Sequence, residues 1–231
     1  MRRITNLFFT FNILLFLTFA AGMSSAQEIM TAEQYFDAVS EQYGTIDDYQ
    51  ANITITKGEE VFEGTIFYKS PNLLRIDFTD PEDQVLVVNN EKMMLHLPQH
   101  HVVMQQELKP HSEAALATMA SSQGLQLLKR SYSVAFLEGP QLVQLDENSD
   151  EMVRKLKLAW RKPGEGFRQI IMSVNKDMMI RRMEGLTAEY ERFQFDFTSI
   201  TVNQDIPTAR FEYESPPSAY QIDNFLFTPE S

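Results

Sequence analysis

Few side chains in this sequence are spaced for covalent chemistry or metal binding. The chain has no cysteine, and its four histidines are His96, His100, His101 and His111. His100 and His101 are neighbours in a predicted strand, so their side chains point to opposite faces and cannot share a metal ion. The sequence contains no Gly-x-Ser-x-Gly, phosphate-binding or dinucleotide-binding motif. We therefore expect the protein not to be an enzyme, and we expect no metal ion or cofactor.

The acidic residues do not suggest a catalytic pair. Asp47 and Asp48, like Glu59 and Glu60, lie in predicted turns, where carboxylates are usually solvated. A hydrolase acting on cell-envelope substrates remains an alternative, but no arrangement of nucleophile and base supports it.

The sequence is instead rich in large apolar side chains, with 12 methionines, 17 phenylalanines and 8 tyrosines. Methionine is unbranched and polarizable, so it suits surfaces that accept irregular apolar partners. An ordinary core with methionine as filler is the alternative. As a set, nine methionines in the predicted strands and lid favour an apolar cavity: Met93, Met94, Met104, Met119, Met152, Met172, Met178, Met179 and Met183.

The first 26 residues are typical of a secretory signal peptide. Arg2 and Arg3 precede an apolar run, and small residues before Gln27 predict cleavage after Ala26. A retained anchor is the alternative, although the run is shorter than the ~20 residues that span a membrane. Cleavage leaves 18 basic and 32 acidic residues, a net charge of −14. This charge argues against nucleic acid as a partner. Without cysteine, the chain cannot be lipidated at a lipoprotein cleavage site.

The rest of the chain, residues 27–231, is predicted to be one α+β domain. Thr31–Tyr43 is an amphipathic helix, with a capping box from Thr31 to Gln34 and Gly44 at its end. About eleven or twelve short strands follow, joined by turns too tight for parallel crossovers. We expect a strongly curved antiparallel sheet or open barrel with helices against its concave face, ending near Pro207 and Pro216-Pro217.

Between the two β-rich halves, Lys109–Arg130 predicts two short helices. Their inner face would carry Leu116, Met119, Leu125 and Leu128. The segment is either a plug that fills one end of the barrel or a lid that can move.

Alternation along the strands predicts which side chains share an apolar face. Which face lines the cavity stays open, because a register shift of one residue inverts a strand. The predicted cavity wall comprises Ile66, Tyr68, Leu74, Ile76 and Phe78, with Val85, Val87 and Leu95 nearby, and in the second half Leu156, Leu158, Trp160, Phe193, Phe195 and Phe197.

Three segments resemble those of the periplasmic lipoprotein carrier family, LolA. EGTIFYKSPNLLRI, from Glu63 to Ile76, is similar to the family's E-G-x-(apolar)-K-R-P-x-x-(F/L)-R segment. The stretch from Pro81 to Pro98 resembles its P-x-x-Q segment, the turn D/N-G-K and the closing Y-x-P. The tail from Phe195 to Pro217 resembles its closing F-x-(D/N) to P-P pattern. The order matches along nearly all of the chain after Ala26.

The resemblance implies an incomplete barrel with a helical lid over an apolar cavity, and a periplasmic, monomeric carrier that binds the acyl chains of lipoproteins. Its implied partners are acylated lipoproteins, an inner-membrane ABC transporter that releases them and an outer-membrane receptor. The alternative on the same scaffold is a sensor or accessory lipid-binding module without a transport role.

The sequence departs from the family at two turns. The family's D/N-G-K turn is Asn90-Glu91-Lys92 here, without the glycine. The other departure lies before the Pro of the K-R-P turn. The family usually has Arg before the Pro of its K-R-P turn, where it holds the lid shut by hydrogen bonds to the helices. Here the turn is Lys69-Ser70-Pro71. Ser70 cannot supply that charge, but Lys69 or Arg75 could compensate for it, so the candidate gating residues are Lys69, Ser70 and Arg75.

Overall fold

The computed structural model describes residues 30–89, 92–107, 121–162 and 167–224. The predicted signal peptide Met1–Ala26 lies outside these residues, as do His111, Leu116 and Met119 of the predicted lid region. No helix in the described ranges has the length and apolar character needed to cross a membrane.

Two α-helices begin at capping residues that the sequence makes recognisable. Helix α1, Ala32–Gly44, starts at the predicted capping box: Gln34 N donates to Thr31 Oγ1 (3.2 Å), and Thr31 N donates to Gln34 Oε1 (2.8 Å). Helix α2, Ser122–Ser131, starts where Gly124 N donates to Ser121 Oγ (3.1 Å). Because each bond satisfies a backbone group that has no partner in the first helical turn, these sequences fix the helix starts.

Thirteen strands form one sheet in the described chain, in the order β13-β6-β5-β4-β3-β2-β1-β12-β11-β10-β9-β7, with β8 paired to β9. The strands at the two ends of this order are not paired with each other, so the sheet is open. The bounds are β1 Asp48–Lys57, β2 Glu60–Lys69, β3 Leu73–Asp80, β4 Val85–Asn89, β5 Lys92–Leu97, β6 Val102–Glu107, β7 Tyr132–Phe136, β8 Val143–Gln144, β9 Met152–Trp160, β10 Phe167–Asn175, β11 Ile180–Thr187, β12 Arg192–Val202 and β13 Tyr220–Asp223. The predicted fold class, an incomplete antiparallel barrel with an N-terminal helix, is confirmed.

Helix α1 packs on the inner face of this sheet. Its buried stripe, which includes Phe36 and Val39, lies in the same core cluster as residues from ten of the strands. Tyr43 fixes the end of the helix, because Ile180 N at the start of β11 donates to its hydroxyl (3.1 Å). Burial raises the pKa of Tyr43 well above its usual value, so the hydroxyl stays protonated.

After β12, the chain crosses the outer face of the sheet instead of ending. We call residues 204–213 the outer strap; it contains a 3-10 helix, Thr208–Phe211. Ile206 and Phe211 of the strap pack on Phe67 of β2. The chain then adds β13 parallel to β6. The predicted end of the structure near Pro207 was therefore wrong, because Pro207 lies in the strap, where no strand ladder needs its missing N–H.

Two predictions about local placement were wrong. Asp48 is only 1% exposed, because its carboxylate accepts from Gln204 N (2.8 Å) and Ile206 N (3.1 Å) of the strap. His100 and His101 are not in a strand: Pro98–His100 is a 3-10 helix, and His101 has a positive φ of 52°. The distant strap decides the position of Asp48, and the local turn that begins at Pro98 decides that of His100 and His101.

The inner face of β4 is shifted by one residue from the prediction. Leu74 pairs with Val88 and Ile76 with Leu86, and directly opposed residues of antiparallel strands share a face. Leu86 and Val88 therefore face inward. Val85 and Val87 face the opposite side, where the strap's 3-10 helix contacts β3 and β4. The length of the β3–β4 turn sets this register.

Replacing Gly64 with alanine is expected to destabilise the sheet by about 1–3 kcal/mol. A Cβ at Gly64 would lie 2.5 Å from the carbonyl oxygen of Asp77, a backbone atom that cannot move without disturbing the β2–β3 pairing. Urea unfolding measures the effect. Gly44→Ala is the control, since its Cβ would meet only Ser122 Oγ at 3.8 Å. Equal stability of Gly64→Ala and the wild type would contradict the described pairing.

Candidate functional site

The inner face of the sheet is apolar from end to end, but only part of it is sealed. Helices α1 and α2 belong to the core cluster on this face, in which Tyr49, Tyr68 and Leu74 near the start of β1 are buried. Toward the β1–β2 turn, large side chains are only half-buried. We call this region the aromatic end; its members are Ile55, Phe62, Phe78, Trp160, Phe167, Phe193 and Phe195, of which Phe167 is the most buried.

The rings of the aromatic end pack on one another across several strands. Phe167 and Phe193 meet edge to face at 5.7 Å between centroids, and Phe193 stacks on Phe195 at 6.4 Å. Phe62 and Phe78 form a further edge-to-face pair at 6.4 Å. These geometries are favourable for aromatic rings. The result is a continuous apolar surface that still has area to offer a ligand.

Gly185 makes this arrangement possible. It pairs with Ile170 and Phe193 in neighbouring strands, and a Cβ at this position would lie 2.5 Å from the ring of Phe167. The ring of Phe167 therefore rests directly on the backbone of β11. On the other side, the hydroxyl of Tyr132 donates to Phe167 O and accepts from Trp160 Nε1 (3.2 Å). This chain of hydrogen bonds positions Trp160 beside the rings.

Most of the residues predicted for the cavity wall lie on this inner face. Leu95 also faces inward, since it pairs with Leu86. Among the predicted lid residues, Leu125 and Leu128 are buried in the core, and Leu116 and Met119 lie outside the described residues. Those buried in the core are Ile66, Tyr68, Leu74, Ile76, Leu156, Leu158 and Phe197, and those half-buried against it are Phe78, Trp160, Phe193 and Phe195.

Burial divides these residues into one group that stabilises the fold and another that can contact a ligand. The fully buried ones already contact α1, α2 or neighbouring strands, so they hold the fold together. The half-buried ones have surface left for an apolar ligand. Sequence reasoning missed Phe62 and Phe167 of the aromatic end and left Ile55 out of the wall. The alternation from Tyr49 to Ile55 was a usable signal for Ile55, and its partner in β2 is Phe62.

The candidate gating residues lie on the other side of the sheet. Lys69 Nζ donates to Ile206 O (2.7 Å), and Arg75 Nη1 donates to Arg210 O (3.2 Å) and Glu212 O (3.3 Å). Both side chains thus hold the outer strap. In the described part of the chain neither one contacts α1 or α2. Ser70 N donates to Asp47 O (2.8 Å).

The link between this turn and a helix comes from Tyr68. Its hydroxyl donates to Pro71 O (3.1 Å). Burial raises the pKa of Tyr68, and hydrogen bonds with the side chains of Ser70 and Ser121 act in the opposite direction. Because Ser121 caps α2, the Tyr68 hydroxyl joins the β2–β3 turn to the start of that helix.

Tyr68→Phe is expected to loosen the start of α2. Removing the hydroxyl should cost about 1 kcal/mol of stability, the usual net value of a hydrogen bond. The specific readout is faster amide hydrogen exchange in residues 124–128. Tyr49→Phe is the matched control: Tyr49 stacks on Tyr68 at 5.2 Å, and its hydroxyl makes no hydrogen bond within the described residues. Unchanged exchange in Tyr68→Phe would show that the hydroxyl does not hold α2.

Charged groups beside this region bind one another on the outer face of the sheet. Arg182 on the outer face binds Asp146 (2.6 and 3.0 Å) and Asp196 (2.5 Å). The hydrogen bond from Arg182 lowers the pKa of the Asp146 carboxyl. Among the described residues, no three metal-ligating side chains gather in one place. What the inner face offers is apolar contact.

An open sheet with helices packed in its concavity and an apolar inner face defines a class of binding scaffold. The family described as "Outer membrane lipoprotein carrier protein LolA" matches residues 54–214, and the chain belongs to this family. The resemblance seen in the sequence is therefore confirmed.

The chain is also similar to individual proteins. An outer-membrane lipoprotein carrier protein of Leptothrix cholodnii is 26% identical over 204 residues, which cover 87% of this chain and 84% of the relative. An uncharacterized conserved protein of Thermus thermophilus has a similar fold, with a TM-score of 0.53, 14% identity and coverage of 83% and 98% of the two chains. A LolA superfamily protein of Nitrosomonas europaea aligns with a TM-score of 0.42 and 12% identity, covering 79% and 98%.

Proposed function

We propose that this protein is a periplasmic carrier that binds the acyl chains of lipoproteins and moves them from the inner to the outer membrane. The observation that carries the proposal is the aromatic end, which leaves a large apolar surface half-covered inside the sheet of a LolA-family chain. The role is that of a binding protein, not an enzyme, and acyl chains are the natural occupants of such a surface.

The physical need for a carrier follows from the hydrophobic effect. Each methylene of an acyl chain costs about 0.8 kcal/mol when it is exposed to water, so a lipoprotein with several chains cannot cross an aqueous space unshielded. A carrier must cover the chains and later release them. Rings that still expose surface bind apolar chains without the polar contacts that would make release slow.

The partners in this proposal are those of a relay between two membranes. The protein enters the periplasm through a signal peptide cleaved after Ala26 and acts as a monomer. It accepts acylated lipoproteins from an inner-membrane ABC transporter and delivers them to an outer-membrane receptor. The relative in Leptothrix cholodnii is named an outer-membrane lipoprotein carrier protein, which supports lipoproteins as the cargo. Leu116 and Met119 are proposed to belong to the inner face of the lid.

A second candidate is a lipid-binding sensor or accessory module without a transport role. The feature that favours it is the turn at Ser70, where the expected arginine is missing and Lys69 and Arg75 bind the strap instead. A carrier that lacks the charged latch would hold or release its cargo differently.

Depletion in the source bacterium separates the two candidates. If the protein is a carrier, its depletion should leave outer-membrane lipoproteins in the inner-membrane fraction, and expression of the wild type should restore sorting. Normal sorting during depletion would contradict transport. If the purified protein still bound lipid in that case, the sensor or accessory role would stand.

A further inference from the structure

A second pocket lies on the outer face, away from the aromatic end. It has a volume of about 570 Å³ and sits between the outer strap and strands β1 to β3. This is within the range of pockets that bind small ligands. The polar side chains in its lining are Gln50, Arg75, Gln204, Asp205 and Arg210.

Two guanidinium groups in this pocket share a single carboxylate. Arg75 Nε donates to Asp77 Oδ1 (2.6 Å), and Arg210 Nη2 donates to Asp77 Oδ2 (2.7 Å). The Arg210 guanidinium also lies 4.2 Å from the centroid of the Phe67 ring, which fixes its plane. One carboxylate balances only one of the two charges. A locally positive pair is unusual in a chain whose net charge is −12.

The pair has donors to spare. Arg75 uses Nε on Asp77 and Nη1 on two strap carbonyls, but within the described residues its Nη2 has no hydrogen-bond partner. Likewise, Arg210 uses only Nη2 there. Guanidinium groups bind carboxylates strongly when several N–H groups point the same way. The chemistry of this wall therefore matches a ligand carboxylate.

The strap contributes a negatively charged side chain to the pocket. Asp205 is exposed, accepts no hydrogen bond among the described residues and lines the same pocket. The amide side chain of Gln50 faces the pocket from β1. A ligand that fits both sides has a carboxylate at one end and N–H donors close behind it, which is the composition of a peptide C-terminus.

We propose that this outer pocket binds the C-terminal end of a peptide. The carboxylate lies against Arg75 and Arg210, and the N–H groups that precede it donate to Asp205. A free carboxylic acid shares the first contact but lacks the second. The site is independent of acyl-chain binding, because Arg75 and the aromatic end occupy opposite faces of the sheet.

Nuclear magnetic resonance of ¹⁵N-labelled protein tests the proposal with three probes: acetyl-Ala-Ala-Phe, its C-terminal amide and acetate. The acid peptide should shift the Arg75 and Arg210 Nε–H signals and the amides of the strap in a saturable way. The C-terminal amide and acetate should each bind at least about tenfold more weakly than the acid peptide. No saturable shift with the acid peptide, or equal shifts with the amide, would overturn the proposal.

Two variants locate the contacts. Asp205→Asn should weaken binding of the acid peptide but leave acetate binding unchanged, and the strap stays in place because that side chain makes no hydrogen bond in the described chain. Arg210→Gln should weaken both, with an unchanged Phe211 amide signal as the check that the strap remains docked. Peptide binding that is unaffected by both variants, or shifts confined to Phe193 and Phe195, would also overturn the proposal.

Discussion

Replacing Phe195 with aspartate is expected to abolish acyl-chain binding while the protein remains folded. Phe195 is half-buried at the centre of the aromatic end, with the rings of Phe167 and Phe193 each 6.4 Å away. A carboxylate there would have to lose its water when acyl chains bind, which costs several kcal/mol. The affinity for a fluorescent fatty acid should fall at least about 100-fold.

A matched variant on the same strand separates the effect of a charge placed at the aromatic end from the effect of added negative charge in general. Thr198 lies three residues later in β12, is exposed, and pairs with Asn52. Thr198→Asp should bind the fatty acid as the wild type does. If Phe195→Asp retained wild-type affinity with an intact fold, the aromatic end would not be the acyl-binding surface. An equal loss in Thr198→Asp would point to net charge instead.

Phe36→Ala should cause the largest loss of stability, about 3–5 kcal/mol. Phe36 is 1% exposed and packs from α1 into the core on the inner face of the sheet. Alanine leaves a cavity that the surrounding β-strands cannot fill without breaking their pairing. Urea unfolding followed by the fluorescence of Trp160, the single tryptophan in the chain, measures the loss.

Glu41→Ala is the control for this variant, because Glu41 is exposed on the same helix. Its effect should stay within about 0.5 kcal/mol, as is usual for surface positions. A loss below about 1 kcal/mol for Phe36→Ala, the range of ordinary substitutions, would mean that α1 is not packed into the core on the inner face as the structure shows. The aromatic end would then be less confined than described here.

Local signals in the sequence were sufficient to predict the helices and strands, but not the pairing register of every strand. The capping box at Thr31 and the tight turns fix α1 and the antiparallel order, because these features involve residues close in the chain. The face of the sheet on which Val87 lies depends on the number of residues in the β3–β4 turn. Asp48 is buried by a strap segment that follows it by 156 residues. No periodicity near these residues carries that information.

The sequence was sufficient to predict which residues share the inner face. It was not sufficient to predict which of them are buried and which keep surface for a ligand. Alternation placed Leu156, Leu158, Phe193 and Phe195 on one side, and the structure agrees. Whether each is sealed depends on where α1 and α2 lie. Phe167 reaches the rings because Gly185 has no side chain. The local sequence around Phe167 does not reveal this contact, because it depends on which residue of β11 lies opposite the ring.

Native mass spectrometry of protein purified from the periplasm without detergent tests the central claim most directly. We expect a complex with acylated lipoprotein, which is lost in Phe195→Asp and retained in Thr198→Asp. Wild-type protein that carries neither lipoprotein nor other acyl lipid, and takes up none when exposed to it, would contradict the account.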